Sequence, residues 1–263
     1  MTWIYAIPAR LFMSCAVIGA CAIACGLLAI MRARITRNET ITHNDVAGPI
    51  LTIIGTVLAV MMSFMVVGVW QEFDGAAETA QQEASALSDL HHLADAYPEP
   101  FRTEVHAAVD RYIALVVTRE WPAMRHGGES FEAHDAGYDV QRILTSWRPA
   151  NPAEQALQAR GLTYADTFLD KRRDRILANR QGIPIVLWAA MMFTGAVTVI
   201  FSFYFRVDHP RAQYVMVIAE TAVITIIFTV IAELDYPFRG DIAIDPYSFI
   251  HVMNTLHGIL NGS

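Results

Sequence analysis

Four long stretches with almost no charge divide this chain into two pairs. They cover residues 11–31 and 47–70, then 183–205 and 212–232, and Glu220 is the one Asp, Glu, Lys or Arg within them. An apolar run of about 18 residues or more can cross the hydrocarbon of a bilayer as a helix. Because backbone amides in lipid need partners within the chain, each stretch is predicted to be helical. We therefore expect an all-α, polytopic membrane protein with four transmembrane helices.

The 112 residues between the two pairs form a polar segment. This segment, residues 71–182, holds 18 of the 26 acidic and 12 of the 19 basic side chains. Charged residues are almost never fully buried unless they are paired, so the segment is predicted to be a water-facing domain. The expected organisation is membrane helices in 1–70, the polar domain in 71–182, membrane helices in 183–234, and a C-terminal segment in 235–263.

The polar segment has the periodicity of helices. Small and apolar residues recur every three or four positions over 73–94, so the second membrane helix is predicted to continue straight into the domain. The prolines of 97–100 end that helix. A later helix has a clear start, with Asn151 as N-cap, Pro152 at the first helical position and Glu154 near the third.

Composition and motifs exclude several functions. The net charge of −7 argues against nucleic acid as a partner, since binding to phosphates needs a basic surface. The three cysteines, Cys15, Cys21 and Cys25, all lie in the first apolar run and provide no disulfide framework. No phosphate-binding glycine loop, zinc-ligand spacing or nucleophile elbow occurs. We therefore predict no enzymatic activity, no cofactor and no metal centre.

Hydroxyl groups form two seams in the second pair of membrane helices. Each seam has spacing i, i+4, i+8, which places its members on one helix face. Such hydroxyls either tie helices together or line a path for water and ions. Glu220 lies beside the second seam, and a carboxylate at membrane depth normally faces a bundle interior or water. The intramembrane polar residues are Thr194, Thr198 and Ser202 in the third helix, and Glu220, Thr221, Thr225 and Thr229 in the fourth.

The second membrane helix has the features of a pore-lining helix. It combines small polar residues with bulky apolar ones and leads directly into an acidic stretch that also contains Glu78 and Glu83. Apolar constrictions can gate by dewetting, and rings of carboxylates favour cations. The alternative is an ordinary solvated helix face. The pore-lining residues of the hypothesis are Thr56, Val60, Met61, Phe64, Glu72 and Asp74.

Charge near the membrane ends leaves the orientation open. Short loops carry five arginines on one side of the membrane and two on the other, and an excess of arginine favours the cytoplasmic side. This count places the polar domain outside, but a basic cluster over 171–180 argues for the opposite orientation. The first group is Arg32, Arg34, Arg37, Arg206 and Arg211, and the second is Arg10 and Arg239.

Several short motifs resemble the bestrophin-like domain family of bacterial membrane proteins. They are residues 68–74 with the helix that follows, Glu120-Trp121-Pro122, Phe203 with Arg211-Ala212-Gln213, and above all the Asp-x-Pro-Phe-x-Gly element at 235–240. The resemblance implies a distant likeness to bestrophins, which are homo-oligomeric, usually pentameric, ion channels with a pore-lining second helix. It also implies a cytosolic helical domain. The chain lacks the Pro-containing aromatic neck of bestrophins and their calcium-binding acidic cluster, so anion selectivity and calcium gating do not carry over.

We therefore expect a homo-oligomeric ion channel of the bacterial inner membrane that favours cations. Its partners would be the lipid bilayer, further copies of itself and inorganic ions. Two other functions fit the pattern. One is a membrane-anchored scaffold whose contact face is the alanine-rich stripe over 73–94, and the other is a proton-coupled transporter that uses Glu220.

Overall fold

The computed structural model describes residues 8–34, 44–205, 209–256 and 258, with only the backbone described for 44–47. Within these residues every regular element is helical, which confirms the predicted all-α class. A single π-helical turn, Val116–Glu120, separates α3 from α4. The α-helices are α1 Ala9–Arg34, α2 Asn44–Ala94, α3 Phe101–Leu115, α4 Trp121–Arg125, α5 Phe131–Ser146, α6 Pro152–Ala178, α7 Ile185–Ser202, α8 Pro210–Leu234 and α9 Tyr247–Leu256.

Four of these helices are long and apolar enough to cross a membrane. They are α1, the first half of α2, α7 and α8, and they coincide with the four uncharged stretches. Many of their large apolar side chains are exposed in the single chain, including Ile18, Ile53 and Phe193. Lipid or another protein chain must cover such surface, because water does not tolerate apolar patches of this extent.

The chain forms two compact units. The described residues up to Gln71 form the membrane unit together with Gly182–Asp235. In this unit α1 packs along α8, and α7 also contacts α8. Its small buried cluster is built from Ala24, Leu28, Phe203 and Val217. The second unit, here called the helical unit, comprises Glu72–Gln181 and the described residues from Tyr236 onward.

The helix α2 runs without a break for 51 residues, from Asn44 to Ala94. This confirms the continuous helix predicted from the repeat over 73–94. Its alanine-rich stripe lies in the core of the helical unit, where Ala76, Ala80 and Ala84 are 3%, 3% and 1% exposed. The suggestion that this stripe is a contact face for a partner is therefore wrong. Alanine is used there because it lets α2 approach the other helices of its own unit closely.

The helical unit has a large hydrophobic core formed by α3, α5, α6 and α9 together with the second half of α2. Helix α6 begins as predicted, since the Asn151 side chain accepts a hydrogen bond from the Glu154 amide at 2.9 Å. Helix α5 is capped in the same way by Ser130. These caps satisfy amides at the first turn that have no partner within the helix.

Candidate functional site

One row of side chains on α2 is exposed along the membrane unit. Leu58, Met62 and Val69 are buried, whereas Val60 and Phe64 on the opposite face are 49% and 74% exposed. At 3.6 residues per turn, positions four apart lie on one face of a helix, so the two sets face in opposite directions. We call this exposed face the α2 row. From Thr52 onward its exposed members in the membrane unit are Thr52, Ile53, Thr56, Val57, Val60, Ser63, Phe64, Val67, Trp70 and Gln71.

The hydroxyls of the α2 row all bond to their own helix. Thr52 donates to the Gly48 carbonyl at 3.0 Å, Thr56 to Thr52 at 2.7 Å, and Ser63 to Ala59 at 2.8 Å. A hydroxyl has one proton and two lone pairs, so a proton used in this way leaves only acceptor capacity. The α2 row therefore presents oxygen lone pairs to whatever it faces.

The sequence-predicted pore residues fall into two groups. Thr56, Val60 and Phe64 lie together on the α2 row and are exposed, whereas Met61 is half-buried. Met61 is about 100° round the helix from Val60, so it lies on the flank of the row. The structure thus brings the first three together and sets Met61 to one side.

The acidic stretch that follows divides in the same way. Glu72, Asp74 and Glu78 are all exposed. Asp74 and Glu78 lie about 40° apart around α2, whereas Glu72 lies about 160° round the helix from Asp74. Glu78 was not among the predicted pore residues, although its spacing of four from Asp74 places it on the same face.

Glu83 does not belong to the exposed acidic stretch. It is fully buried in the helical unit, where its carboxylate accepts from Arg175 Nε at 2.7 Å and from Arg175 Nη2 at 3.0 Å. The Tyr112 hydroxyl donates to the same carboxylate at 2.6 Å. The sequence carried a signal for this burial, because Glu83 lies three and four positions from Ala80 and Leu87 on the core face of α2.

A second buried carboxylate, Glu120, completes the network. Its side chain accepts from Arg175 Nη2 at 2.8 Å and is paired with Arg172. Glu120 and Arg175 are fully buried and Arg172 is 4% exposed. Two carboxylates and two guanidiniums balance, which is the condition under which buried charges are tolerated. We call Glu83, Glu120, Arg172 and Arg175 the buried ion network.

Aromatic rings and a thioether enclose Arg175. Its guanidinium carbon lies 4.9 Å from the Trp121 ring centroid and 5.6 Å from that of Phe249. Its remaining terminal nitrogen, Nη1, donates to the Met124 sulfur at 2.8 Å. A guanidinium stacked on aromatic faces gains a cation–π attraction that strengthens when water is excluded. The network therefore links α2, α4, α6 and α9 within the helical unit.

The charges of the network stabilise one another. Burial alone would lower the pKa of Arg175, but Glu83 and Glu120 outweigh it and raise the pKa, so the guanidinium stays charged. Burial alone would raise the pKa of Glu120, yet Arg175 and Arg172 together bring it below its ordinary value. Burial and then the Glu83 carboxylate raise the pKa of Tyr112, which keeps its hydroxyl as a donor. Glu120 and Arg175 are thus both charged at neutral pH.

The intramembrane hydroxyls of α7 and α8 face inward. Thr198, Ser202, Thr221 and Thr229 are buried, and Thr194 and Thr225 are partly buried. Four of their hydroxyl bonds are Thr194 to Ala190, Thr198 to Thr194, Thr225 to Thr221 and Thr229 to Ile226, each at 2.7–2.8 Å and each within one helix. These four threonines therefore bond back to the backbone of their own helix, and none of the four bonds joins α7 to α8.

Glu220 is half-buried in α8 and hydrogen-bonds to Ser202 of α7. The Ser202 hydroxyl also lies 2.8 Å from the Val199 carbonyl. A polar contact of this kind between membrane helices contributes about 1 kcal/mol. The hydrogen bond between Glu220 and Ser202 therefore joins α8 to α7.

Two of the motifs that resemble the bestrophin-like family hold the membrane unit together. Arg32 at the end of α1 donates to the Gln213 side-chain oxygen of α8, with Nε at 2.9 Å. The amide of Gln213 donates in turn to the carbonyls of Phe203 and Phe205, at 3.2 and 2.6 Å. In the same unit, the Asp235 carboxylate accepts from the Ile183 amide at 2.6 Å, just before α7 begins.

The rest of the Asp-x-Pro-Phe-x-Gly element fixes the C-terminal segment onto the helical unit. Phe238 is fully buried with its ring centroid 5.6 Å from that of Trp121. Arg239 donates to the Asn179 carbonyl at 2.6 Å, and Gly240 has a φ of +84°, which favours glycine. The Trp121 indole donates to Ile244 at 2.9 Å. The element thus positions α9, which carries Phe249 to the buried ion network.

The described residues include no group of three or more His, Cys, Asp or Glu side chains arranged to hold a metal ion. His91 and His92 lie edge to face with ring centroids 6.3 Å apart, as expected for neighbours on a helix. His134 pairs with its neighbour Asp135 at 3.1 Å on the surface.

The fold and the α2 row describe a multi-pass, all-helical membrane protein with a long helix shared between a membrane unit and a helical unit. The Bestrophin-like domain profile matches residues 18–249, so the chain belongs to the Bestrophin-like domain family. No curated protein matches the chain in sequence.

Several solved structures share the fold. A point variant of a bacterial bestrophin homologue from Klebsiella pneumoniae aligns with a TM-score of 0.68 at 11% identity, over 95% of this chain and 99% of that one. Another variant of a bacterial bestrophin homologue from the same organism gives 0.63 at 13% identity, over 94% and 96%. A variant of a membrane protein gives 0.65 at 10% identity, over 95% and 99%. At such identities the likeness establishes the fold.

Proposed function

We propose that the chain is the subunit of a homo-oligomeric ion channel of the bacterial inner membrane, with α2 lining the pore. The observation that carries this proposal is the α2 row, in which hydroxyl and apolar side chains are exposed on one face of α2, and the residues that follow the row in the sequence include exposed carboxylates. Copies of α2 arranged about a common axis would turn this row into a pore wall. Membership of the Bestrophin-like domain family supports the proposal, since bestrophins are ion channels.

The constriction is assigned to Val60 and Phe64. Phe64 is 74% exposed and lies one turn from Val60 on the α2 row. Rings of such side chains around an axis would narrow the pore with apolar surface, which gates by excluding water. Met61 would contribute from the flank, and Thr56 would line the wider part of the pore one turn before Val60.

A modest preference for cations follows from the polar groups of the row. The three hydroxyl oxygens present lone pairs because their protons are used within the helix. Asp74 and Glu72 would form the vestibule, with Glu78 continuing the face of Asp74. Carboxylates and oxygen lone pairs attract cations and repel anions, as in the acidic rings of cation channels.

Self-association is part of the proposal, with five subunits as the expected number by resemblance to bestrophins. A ring of subunits uses two different surfaces of each copy, so it closes without leaving exposed apolar interface. The single chain leaves Ile18, Ile23 and Phe193 exposed, and the lipid bilayer or neighbouring copies would cover them.

A cytosolic location of the helical unit is proposed on the family resemblance. The basic cluster over 171–180 does not contribute the free charge that its sequence suggests. Arg172 and Arg175 belong to the buried ion network, and the exposed Arg173 and Arg180 pair with Asp170 and Glu129. Arg37 and Arg206, which counted toward the opposite orientation, lie outside the described residues. Labelling of a single cysteine at Ser146, an exposed residue of the helical unit, by a membrane-impermeant maleimide in intact spheroplasts tests the location.

Electrical recording from the purified oligomer tests the channel itself. The protein is reconstituted into planar bilayers under a KCl gradient, and current is recorded over a range of voltages. We expect discrete conductance steps and a reversal potential displaced toward that of potassium. Bilayers that stay silent with a monodisperse, folded oligomer, for potassium, sodium and chloride alike, would rule out the channel.

Proton-coupled transport through Glu220 is the second candidate, and the contact of Glu220 with Ser202 between two membrane helices is what favours it. Replacement of Glu220 by Gln keeps a hydrogen-bonding side chain but removes the exchangeable charge. Transport through this residue predicts that Glu220→Gln abolishes pH-dependent flux in proteoliposomes. Flux that keeps its pH dependence in this variant would leave Glu220 with its structural contact only.

A further inference from the structure

Two histidines stack where the end of α2 meets α3. The rings of His91 and His106 lie face to face with centroids 4.0 Å apart and planes inclined by 5°. His91 comes from the last turn of α2 and His106 from the second turn of α3. The contact therefore joins the C-terminal end of the long helix to its neighbour inside the helical unit.

Each histidine has an aspartate four residues further along the chain, and the pairs cross. Asp110, on α3, lies 3.8 Å from His91 Nε2, and Asp95, just after α2, lies 3.4 Å from His106 Nε2. His92 is the remaining titratable neighbour of the stack. Within the described residues, the groups that act on the charge of His91 are thus His92, Asp95, His106 and Asp110.

The protonation of the stack is constrained by geometry. His106 Nε2 lies 3.1 Å from the His91 backbone carbonyl, which accepts hydrogen bonds only, so Nε2 carries the proton. His91 is in the opposite situation, because its Nδ1 is buried without a hydrogen-bond partner among the described residues. A neutral His91 can leave this nitrogen as an unpaired acceptor. A protonated His91 would bury a charged ring with an N–H that has nothing to donate to.

We propose that the His91–His106 stack is a proton-sensitive latch that holds the end of α2 against α3 at neutral pH and weakens on acidification. Two protonated rings at this separation repel each other, and Asp95 and Asp110, which are 65% and 33% exposed, offer only screened compensation. The direction of titration agrees with the geometry. Burial, and then the neighbouring His106, lower the pKa of His91, so the folded state favours the neutral ring.

The sign of the pH dependence follows from this. A histidine whose pKa is lowered by folding contributes stability that is complete above its unfolded pKa, at about pH 6.5. That stability is lost as the pH falls through the lower, folded-state pKa. The latch is thus closed at pH 7.5 and weakened near pH 5.5. Acid would loosen the junction locally, since the rest of the core contains no other stacked pair of histidines among the described residues.

Hydrogen exchange followed by mass spectrometry tests the latch on the full-length oligomer in detergent. Labelling times at pH 5.5 and 7.5 are scaled for the intrinsic exchange rate, so remaining differences report opening. We expect protection of peptides covering 86–112 to fall severalfold at pH 5.5, up to a limit of about tenfold for one histidine. Peptides from 152–170 in α6 should keep their protection, which shows that the unit has not unfolded globally.

Variants separate the latch from general acid sensitivity. His106→Phe keeps a stacked ring but removes the repulsion between two protonated rings, so its protection over 86–112 should fall less at pH 5.5 than that of the unmodified protein. His91→Gln removes the buried titratable ring itself and should lose the pH dependence, even if its protection is lower throughout. His134→Gln, at an exposed histidine, should behave like the unmodified protein.

A junction whose protection does not change with pH, or a His106→Phe variant that keeps the full change, would overturn the proposal. Hydrogen exchange does not measure ion conduction. A result that contradicts the latch would therefore not contradict the proposed channel function.

Discussion

Arg175 and Glu83 form a fully buried ion pair with two parallel hydrogen bonds, Nε to Oε2 at 2.7 Å and Nη2 to Oε1 at 3.0 Å. The two residues are 92 positions apart in the chain, on α6 and α2. A bidentate guanidinium–carboxylate contact has a fixed geometry as well as a favourable energy. It therefore sets the position of α6 against α2 within the helical unit.

Removal of one partner should destabilise the helical unit strongly. Glu83→Leu leaves the Arg175 guanidinium buried with Glu120 as its only carboxylate, while Glu120 must also neutralise Arg172. An uncompensated buried charge costs about 3–5 kcal/mol. We expect a large loss in thermal unfolding temperature, measured by intrinsic fluorescence of the purified protein.

A double variant and an exposed pair provide the controls. Glu83→Leu combined with Arg175→Met removes both charges and should be less destabilising than Glu83→Leu alone. Arg180→Ala breaks the pair with Glu129, in which the arginine side chain is 56% exposed, and should cost about 0–1 kcal/mol. If the loss of stability in the double variant equals the sum of the losses in Glu83→Leu and Arg175→Met, the two charges do not stabilise each other.

Acid should destabilise the unit through Glu120. Its pKa lies below the ordinary value of 4.5 because the two arginines outweigh burial. A carboxylate with a lowered pKa contributes stability that is complete above about pH 4.5 and is lost as the pH falls through the folded-state value. Glu120→Gln should therefore be less stable at pH 7 but lose less stability between pH 5 and pH 3. Parallel melting curves for both proteins across this range would contradict the assignment.

Gly161 should not tolerate a side chain. A Cβ at this position in α6 would collide with the hydroxyl of Tyr97, which is fully buried and donates to the Leu157 carbonyl at 3.1 Å. Gly161→Ala must displace that ring and should cost about 1–3 kcal/mol. Gly75→Ala, on α2 with nothing within 4 Å, should instead stabilise by about 0.5–1 kcal/mol through lower backbone entropy. Thermal melts of both variants compare them directly.

The membrane helices could be predicted from the sequence because lipid imposes simple requirements of length and apolarity. The start of α6 could be predicted for a similar reason, since the Asn151 cap acts on an amide three residues away. Local rules of this kind do not depend on the rest of the fold.

The buried ion network required knowledge of the tertiary structure. Glu83 and Arg175 have the residue types of a solvated helix face, and only the partner helix shows that they are buried together. Their positions on the core stripes, near Ala80 and Phe168, were the available signal. Which face of α2 is exposed likewise required the structure. Met61 was grouped with Val60 and Phe64 in the sequence-based prediction, whereas the structure leaves it half-buried on the flank of the α2 row.

Phe64 should limit conductance if α2 lines the pore as proposed. Phe64→Ala removes the most exposed aromatic ring of the α2 row and should widen an apolar constriction, which raises single-channel conductance severalfold. Phe193→Ala, at a ring of similar exposure on α7, is the matched control because 71% of Phe193 is exposed on a helix assigned to lipid. Equal single-channel conductance in the two variants would show that Phe64 does not form the constriction.

Cation preference should depend more on Asp74 than on Glu72. Both carboxylates are exposed, but Asp74 shares a face of α2 with Glu78, whereas Glu72 lies about 160° round the helix from Asp74. A carboxylate aimed at the axis acts on permeating ions at shorter range, and the intervening charge is screened over about 8–10 Å in ordinary salt. Asp74→Asn should therefore move the reversal potential under a KCl gradient toward that of chloride, and Glu78→Gln should do so to a similar extent. Glu72→Gln should have a smaller effect, and Glu104→Gln, an exposed carboxylate on α3, should have none. A Glu72 effect larger than that of Asp74 would mean that a different face of α2 lines the pore, and unchanged potentials in all variants would remove these carboxylates from the vestibule.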